Sequence, residues 1–155
     1  MNALKPILLA EDNLKDVELT LEALADSRLA NRVTVVRDGV EALEYLRCEG
    51  KYKTRMHGNP AVAILDIKMP RMDGIEVLRA IRADGALKMI PVVMLTSSRE
   101  EHDLIRSYEL GINAYVVKPV KFSEFVDAVK HLGVFWAMLN ELPPEGTSNH
   151  EPGKK

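Results

Sequence analysis

The sequence predicts an α/β protein, a doubly wound five-stranded parallel sheet with helices on both faces. Three observations predict it. Five short apolar runs alternate with amphipathic stretches, which is the pattern of repeated strand–helix units. The runs are nearly unbroken, as in Ile7-Leu8-Leu9-Ala10 and Ala61-Val62-Ala63-Ile64-Leu65, which suits strands covered on both sides. Four of the runs end in chemistry-bearing residues: Glu11-Asp12, Asp66, Thr96 and Lys118. Right-handed crossovers put all strand C-termini on one edge, where sheets of this kind bind their ligands.

The first strand is expected at 6–10. Leu14, Val17, Leu21 and Leu24 then recur at spacings of three and four, a helix face opened by Asn13 with Asp16 in its first turn. The second strand, 32–36, carries four β-branched residues in a row. Asp38-Gly39 reads as a turn, after which Val40, Leu43 and Leu46 begin a second helix face, with Cys48 a small helix residue near the surface. Residues 49–60 lack any period and contain Gly50, Gly58 and Pro60, so they read as a long exposed loop. The third strand leads into Asp66. Ile75, Leu78 and Ile81 mark the third helix, with Ala83-Asp84-Gly85 as its exit. The fourth strand is 90–95, opened by Pro91, which is tolerated at a strand start. Ser97 or Ser98 caps a fourth helix containing Leu104, Ile105 and Tyr108 and ended by Gly111. The fifth strand is 114–117, and a long last helix runs over 122–139.

The bulk properties narrow the function. With 155 residues and 46% hydrophobic content, the chain fits one folded domain. A net charge of -2 gives no sign of a nucleic-acid or membrane surface. Cys48 is the single cysteine, so no internal disulfide is possible, which fits a reducing compartment. Lys5, Glu11 and Asp12 come before any long apolar stretch, so no signal peptide is expected, and no run reaches the roughly 20 residues of a membrane helix. A cytoplasmic protein is the expectation.

Glu11, Asp12 and Asp66 brought to one sheet edge make three carboxylates in one place. Like charges a few Å apart raise one another's pKa steeply, and a hard divalent cation with oxygen ligands resolves the conflict. Acids, a hydroxyl (Thr96) and an ammonium (Lys118) on successive strand ends suggest phosphoryl chemistry, which is mostly positioning and charge neutralisation.

Taken together, Glu11-Asp12, Asp66 followed by Lys68-Met69-Pro70-Arg71-Met72-Asp73-Gly74, then Thr96 and Lys118-Pro119, resemble the receiver domains of two-component response regulators over about residues 5–130. The resemblance implies a flavodoxin-like (βα)5 receiver fold. It implies that Asp66 accepts a phosphoryl group from a sensor histidine kinase, with the chain catalysing only its own phosphotransfer and dephosphorylation. It implies Mg²⁺ held by Asp12, by Glu11 directly or through water, by Asp66 and by the backbone carbonyl of Lys68. Lys118 and Thr96 would meet phosphoryl oxygens, a cis Lys118–Pro119 peptide would aim the lysine inward, and Thr96 and Tyr115 would form the switch. For Tyr115 the plainer reading is a half-exposed strand tyrosine. Gly74 would supply either an unusual backbone conformation or a close approach. Two departures stand out: Glu-Asp replaces the commoner Asp-Asp, and Ser97 follows Thr96 where a small alanine or glycine is frequent.

On the last helix, Phe125, Val129, Leu132, Trp136 and Leu139 form a core-facing stripe, and with Phe122, Val126, Phe135 and Met138 its far half is apolar nearly all round. Such a helix needs burial by a partner subunit or by the chain's own tail. The expectation is a homodimer with Phe125, Val129, Leu132, Phe135, Trp136 and Leu139 at its interface. Residues 1–142 then form the receiver with its extended helix, and 143–155 a polar tail rich in Pro and Gly, too polar to fold alone. The extended helix and the 49–60 loop resemble the small single-domain regulators that serve bacterial phytochromes. Two competing classes fit less well. Phosphohydrolases with an aspartyl nucleophile usually place a second acid two residues on, where this chain has Lys68, and a pseudo-receiver would have lost one of the site residues. A Gly-x-Gly-x-x-Gly dinucleotide fingerprint is missing after the first strand.

Overall fold

In the computed structural model, residues 5–25, 32–56, 58–97, 109 and 114–132 are described. Five parallel strands form one sheet in the order β2-β1-β3-β4-β5. They are β1 (Ile7–Ala10), β2 (Val33–Val36), β3 (Val62–Asp66), β4 (Val92–Thr96) and β5 (Tyr115–Val117). The order reverses between β1 and β3, so the polar ends of those two strands flank the crevice where such sheets bind ligands. The predicted fold class holds, with each strand shorter by a residue or two at its start. Pro91 lies outside β4 yet still accepts a hydrogen bond from the Ala63 N–H through its carbonyl at 2.9 Å.

Side chains alternate across a strand, so the apolar runs feed two core layers. Leu8, Ala10, Ala63, Leu65, Val92 and Met94 pack with helices α2 (Gly39–Arg47) and α3 (Gly74–Ala83). Ile7, Leu9, Val62, Ile64, Val93 and Leu95 pack against α1 (Leu14–Ala25) and the last helix, Phe122–His131. Unbroken hydrophobicity in the strands is therefore the direct consequence of helices on both faces.

The helices start where capping residues stand. In α1, the Asn13 side chain accepts from the Asp16 N–H at 2.9 Å. Asp38-Gly39, expected as a turn, instead starts α2, with the Asp38 carboxylate accepting from the Glu41 N–H at 2.8 Å. For α3 the cap is reciprocal: Asp73 accepts from the Glu76 N–H at 2.8 Å, and Glu76 accepts from the Asp73 N–H at 2.9 Å.

Several expectations change. Leu14, placed on the buried face of the first helix, is 63% exposed. It occupies the first helical position, beyond the reach of the sheet, and Thr20 fills the buried stripe instead. Cys48 is not within α2 but ends it in the left-handed conformation (φ 57°), its N–H donating to Tyr45 O. The 49–60 segment is not simply an exposed loop. A 3₁₀ turn at Gly50–Tyr52 puts the Tyr52 ring edge-on to Tyr45 (5.2 Å, 82°), and the Arg55 guanidinium lies 4.1 Å from the Tyr45 ring centre. Phe125 and Val129, expected at a dimer interface, are 1% and 0% exposed inside the chain's own core. They sit on the helix face toward the sheet, so they leave no surface for a partner. Leu132 is half-buried against the same layer. Phe135, Trp136 and Leu139, and the expected fourth helix with Leu104, Ile105 and Tyr108, lie outside the described residues.

Candidate functional site

A cleft of about 180 Å³ opens at the C-terminal edge of the sheet, lined by Glu11, Asp12, Asp16, Asp66, Lys68, Thr96, Ser97 and Lys118 among others. Every strand end singled out in the sequence arrives there. Glu11 continues β1: its N–H donates to Val36 O at 2.9 Å, which keeps it in sheet geometry and leaves it fully buried. Asp66 is the last residue of β3 and 5% exposed. Thr96 closes β4 and is also buried, opposite Val117. Tyr115 opens β5, half-buried against the core layer under α2 and α3.

Carboxylate oxygens of Glu11, Asp12 and Asp66 lie within 4.8 Å of one another. Lys118 is held beside them. Its N–H donates to Thr96 O at 2.8 Å, and its peptide bond to Pro119 is cis. The ammonium lies 3.2 Å from Glu11 Oε1, 3.2 Å from Asp66 Oδ1 and 2.8 Å from Asp16 Oδ2.

Burial of this much charge sets its titration. Burial, followed by the neighbouring Asp66 charge, pushes Glu11 up to about 7, with the Asn13 N–H and Lys118 pulling the other way. Burial also raises Asp66, more than Lys118 and the hydrogen bond with Glu11 lower it. For Lys118, burial acts to lower the pKa, but Asp16, Asp66 and Glu11 outweigh it and the ammonium is held above its ordinary range. With Glu11 raised to about 7, its proton competes with a cation for the cluster near neutrality. Three oxygen donors from carboxylates in one partly solvated cleft fit a hard divalent cation.

The loops around the cleft are braced by residues the sequence reading passed over. The Arg37 guanidinium donates to the Asp12 carbonyl at 3.0 Å. Arg71 adopts a left-handed conformation (φ 67°) and forks onto Asp38, at 3.1 Å from Nε and 2.9 Å from Nη2 to Oδ2. These contacts tie the β1–α1, β2–α2 and β3–α3 loops together. Gly74 serves by close approach: a Cβ there would lie 2.2 Å from the Asp66 carbonyl oxygen. Gly39 does the same against Met72, at 2.1 Å from its carbonyl oxygen. Asp16, read in the sequence only as a helix-start acid, proves to be the nearest partner of Lys118. Its place in the first turn of α1, just after the Glu11-Asp12 strand end, was the available signal. No comparable signal marks Arg37 or Arg71, whose roles depend on loops folding side by side.

Residues 7–130 match the response regulator receiver domain profile. Response regulator Rcp1 from Synechocystis sp. (strain PCC 6803) is 37% identical over 142 residues, which cover 92% of this chain and 95% of that protein. The solved bacteriophytochrome response regulator AtBRR is 60% identical, with a TM-score of 0.82 over 90% of this chain and 100% of that one. The Mn²⁺-bound form of Rcp1 superposes with a TM-score of 0.69 at 37% identity, over 90% of this chain and 99% of that one.

Proposed function

The chain belongs to the response regulator receiver domain family, a family of signalling switches, and on that premise we propose that it is a stand-alone receiver phosphorylated on Asp66 by a sensor histidine kinase. The observation that carries this reading is the position of Asp66, a buried strand-end carboxylate with an ammonium 3.2 Å away and two further acids beside it.

An Asp66 carboxylate oxygen attacks the phosphorus of a phosphohistidine protonated on its other ring nitrogen, the P–N bond breaks, and its electron pair leaves on the imidazole, which departs neutral. The nucleophile needs no activation beyond orientation, because catalysis of this transfer is charge neutralisation and alignment. Lys118, already at Asp66, turns to a phosphoryl oxygen as a compact point charge. The Thr96 hydroxyl donates to another. Glu11, Asp12, Asp66 and the Lys68 carbonyl would hold Mg²⁺, which would supply the neutralisation that phosphoryl charge requires. Response regulator Rcp1, a relative solved in a Mn²⁺-bound form, supports the reading that this chain takes a divalent ion. Water attack at the same site returns the free carboxylate, so the chain's only catalysis is of its own phosphotransfer and dephosphorylation.

Movement of Thr96 toward the phosphoryl group, followed by Tyr115, then shifts the populations of two conformations. The kinase is a phytochrome-type photoreceptor, a reading supported by the bacteriophytochrome regulators among the relatives. The receiver occupies 1–142 with 143–155 as its tail. It works in the cytoplasm as a homodimer joined through Leu132, Phe135, Trp136 and Leu139, without nucleic acid or membrane. Among the described residues no helix is long and apolar enough to cross a membrane.

The test is transfer of labelled phosphate from a phytochrome-type histidine kinase. Wild type takes the label in Mg²⁺ and Asp66→Asn does not; label on Asp66→Asn would refute the assignment.

A further inference from the structure

Lys118 has three carboxylate partners, and Asp16 alone stands outside the acid triad. The contact to Asp16 is also the shortest, 2.8 Å against 3.2 Å to Glu11 and to Asp66. An ammonium carries three N–H donors; two go to Glu11 and Asp16, and Asp66 adds an ion pair at 3.2 Å. Asp16 is placed independently of the lysine. It belongs to the first turn of α1, where its N–H donates to the Asn13 side chain, so its carboxylate reaches the cleft from a helix end.

A divalent cation held by Glu11, Asp12 and Asp66 would compete with Lys118 for the Glu11 and Asp66 carboxylates and would repel the ammonium. The Lys118 side chain is only 16% exposed. An ammonium in that setting with no counter-charge is strongly destabilised, because removing one partner of a buried pair leaves a charge uncompensated. Asp16 removes that difficulty, since it keeps its own contact when the other two are surrendered.

We propose that Asp16 is a positioning residue that holds Lys118 in the cleft when a cation takes Glu11 and Asp66, leaving two donors of the ammonium free for an incoming phosphoryl oxygen. The inference rests on the receiver reading above and deepens it. It assigns to the first turn of α1 a part in loading the cation, carried out through the lysine and not by ligation.

The experiment is Mg²⁺ titration calorimetry on the full chain for wild type, Asp16→Asn, Asp16→Glu, Lys118→Met, the Asp16→Asn/Lys118→Met double variant and Asp66→Asn. Asp16→Asn is expected to weaken Mg²⁺ binding by about tenfold, the scale of one charge-assisted contact reduced by partial exposure. Asp16→Glu is expected to recover most of the loss. In the Lys118→Met background the same Asp16→Asn change is expected to cost less than about threefold, because a double-mutant cycle isolates what passes through the pair. A purely structural role for Asp16 would show equal losses in both backgrounds, and so would direct attraction of the cation; either result overturns the proposal. So does an Asp16→Asn affinity equal to wild type. Failure of the receiver reading looks different: wild type itself would bind no Mg²⁺, or Asp66→Asn would bind it as wild type does, and the proposal would fall with it.

Discussion

Replacing Gly74 with alanine tests how tightly the helix after Asp66 is pressed onto the site. The added Cβ would lie 2.2 Å from the Asp66 carbonyl oxygen and 3.0 Å from both the Asp66 carbonyl carbon and the Ile67 Cα. Non-bonded contacts settle near 3.5 Å, so one side must retreat by about 1 Å. Both sides are backbone, and the Gly74 N–H donates to Ile67 O at 2.8 Å, so the shift lengthens a hydrogen bond as it moves the strand end or α3. Overpacking of this kind costs about 1–3 kcal/mol. Alanine's better helix propensity offsets up to about 1 kcal/mol, so a net loss of about 1–2 kcal/mol is expected. The catalytic effect should be larger, since a misplacement of about 1 Å at a reacting group can cost about a hundredfold in rate. Urea denaturation and the rate of labelled phosphoryl incorporation in Mg²⁺ measure the two effects. Gly85→Ala is the control: its Cβ would meet nothing within 4 Å, and stability within about 0.5 kcal/mol of wild type is expected. A Gly74→Ala protein that matches Gly85→Ala in both assays would refute the reasoning.

Three further outcomes follow from the same geometry. Glu11 has its pKa pushed from 4.5 up to about 7, so its contribution to the stability of the cation-free protein is present below 4.5 and is lost as pH rises through 7. Mg²⁺ needs Glu11 ionised, so its affinity should rise over that window by up to about tenfold per pH unit, and Glu11→Gln should flatten both profiles in calorimetry and urea titration. Phe125→Ala should lose about 3–5 kcal/mol by chemical denaturation, because Phe125 is a buried core residue; a loss under about 1 kcal/mol would return it to the surface. Asp38→Ala removes the α2 cap and the fork from Arg71, and about 1–2 kcal/mol of stability should go with it, nearly all from the cap, since Arg71 is more than half exposed.

Much of this was legible because the fold and the site share one pattern. Unbroken apolar strands such as Val62–Leu65 require cover on both faces, and that requirement, joined to right-handed crossovers, sends Glu11, Asp12, Asp66, Thr96 and Lys118 to one edge. No residue needed to be known in space for that step. Periodicity failed where a helix end escapes the sheet, as at Leu14, whose spacing is right but whose place in the first turn leaves it in solvent. It failed again at 49–60, because Tyr52 and Arg55 are held by Tyr45 through ring and guanidinium contacts that have no sequence period. The interface stripe illustrates a different ambiguity. Phe125 and Val129 repeat as both a core and an interface face would, and only the sheet beneath them decides between the two. Asp16, Arg37 and Arg71 went unseen because each acts across a loop boundary, on Lys118, on the Asp12 carbonyl and on Asp38.

The central claim is that Asp66 is the phosphoacceptor, and the acyl phosphate can be trapped chemically. The protein is incubated with acetyl phosphate and Mg²⁺, reduced with borohydride, and mapped by peptide mass spectrometry. The account predicts conversion of residue 66 to homoserine in wild type, none when Mg²⁺ is chelated, and none in Asp66→Asn. Homoserine at Asp12 or Asp16, or 5-hydroxynorvaline at Glu11, in place of homoserine at residue 66, or reduction independent of Mg²⁺, would contradict it.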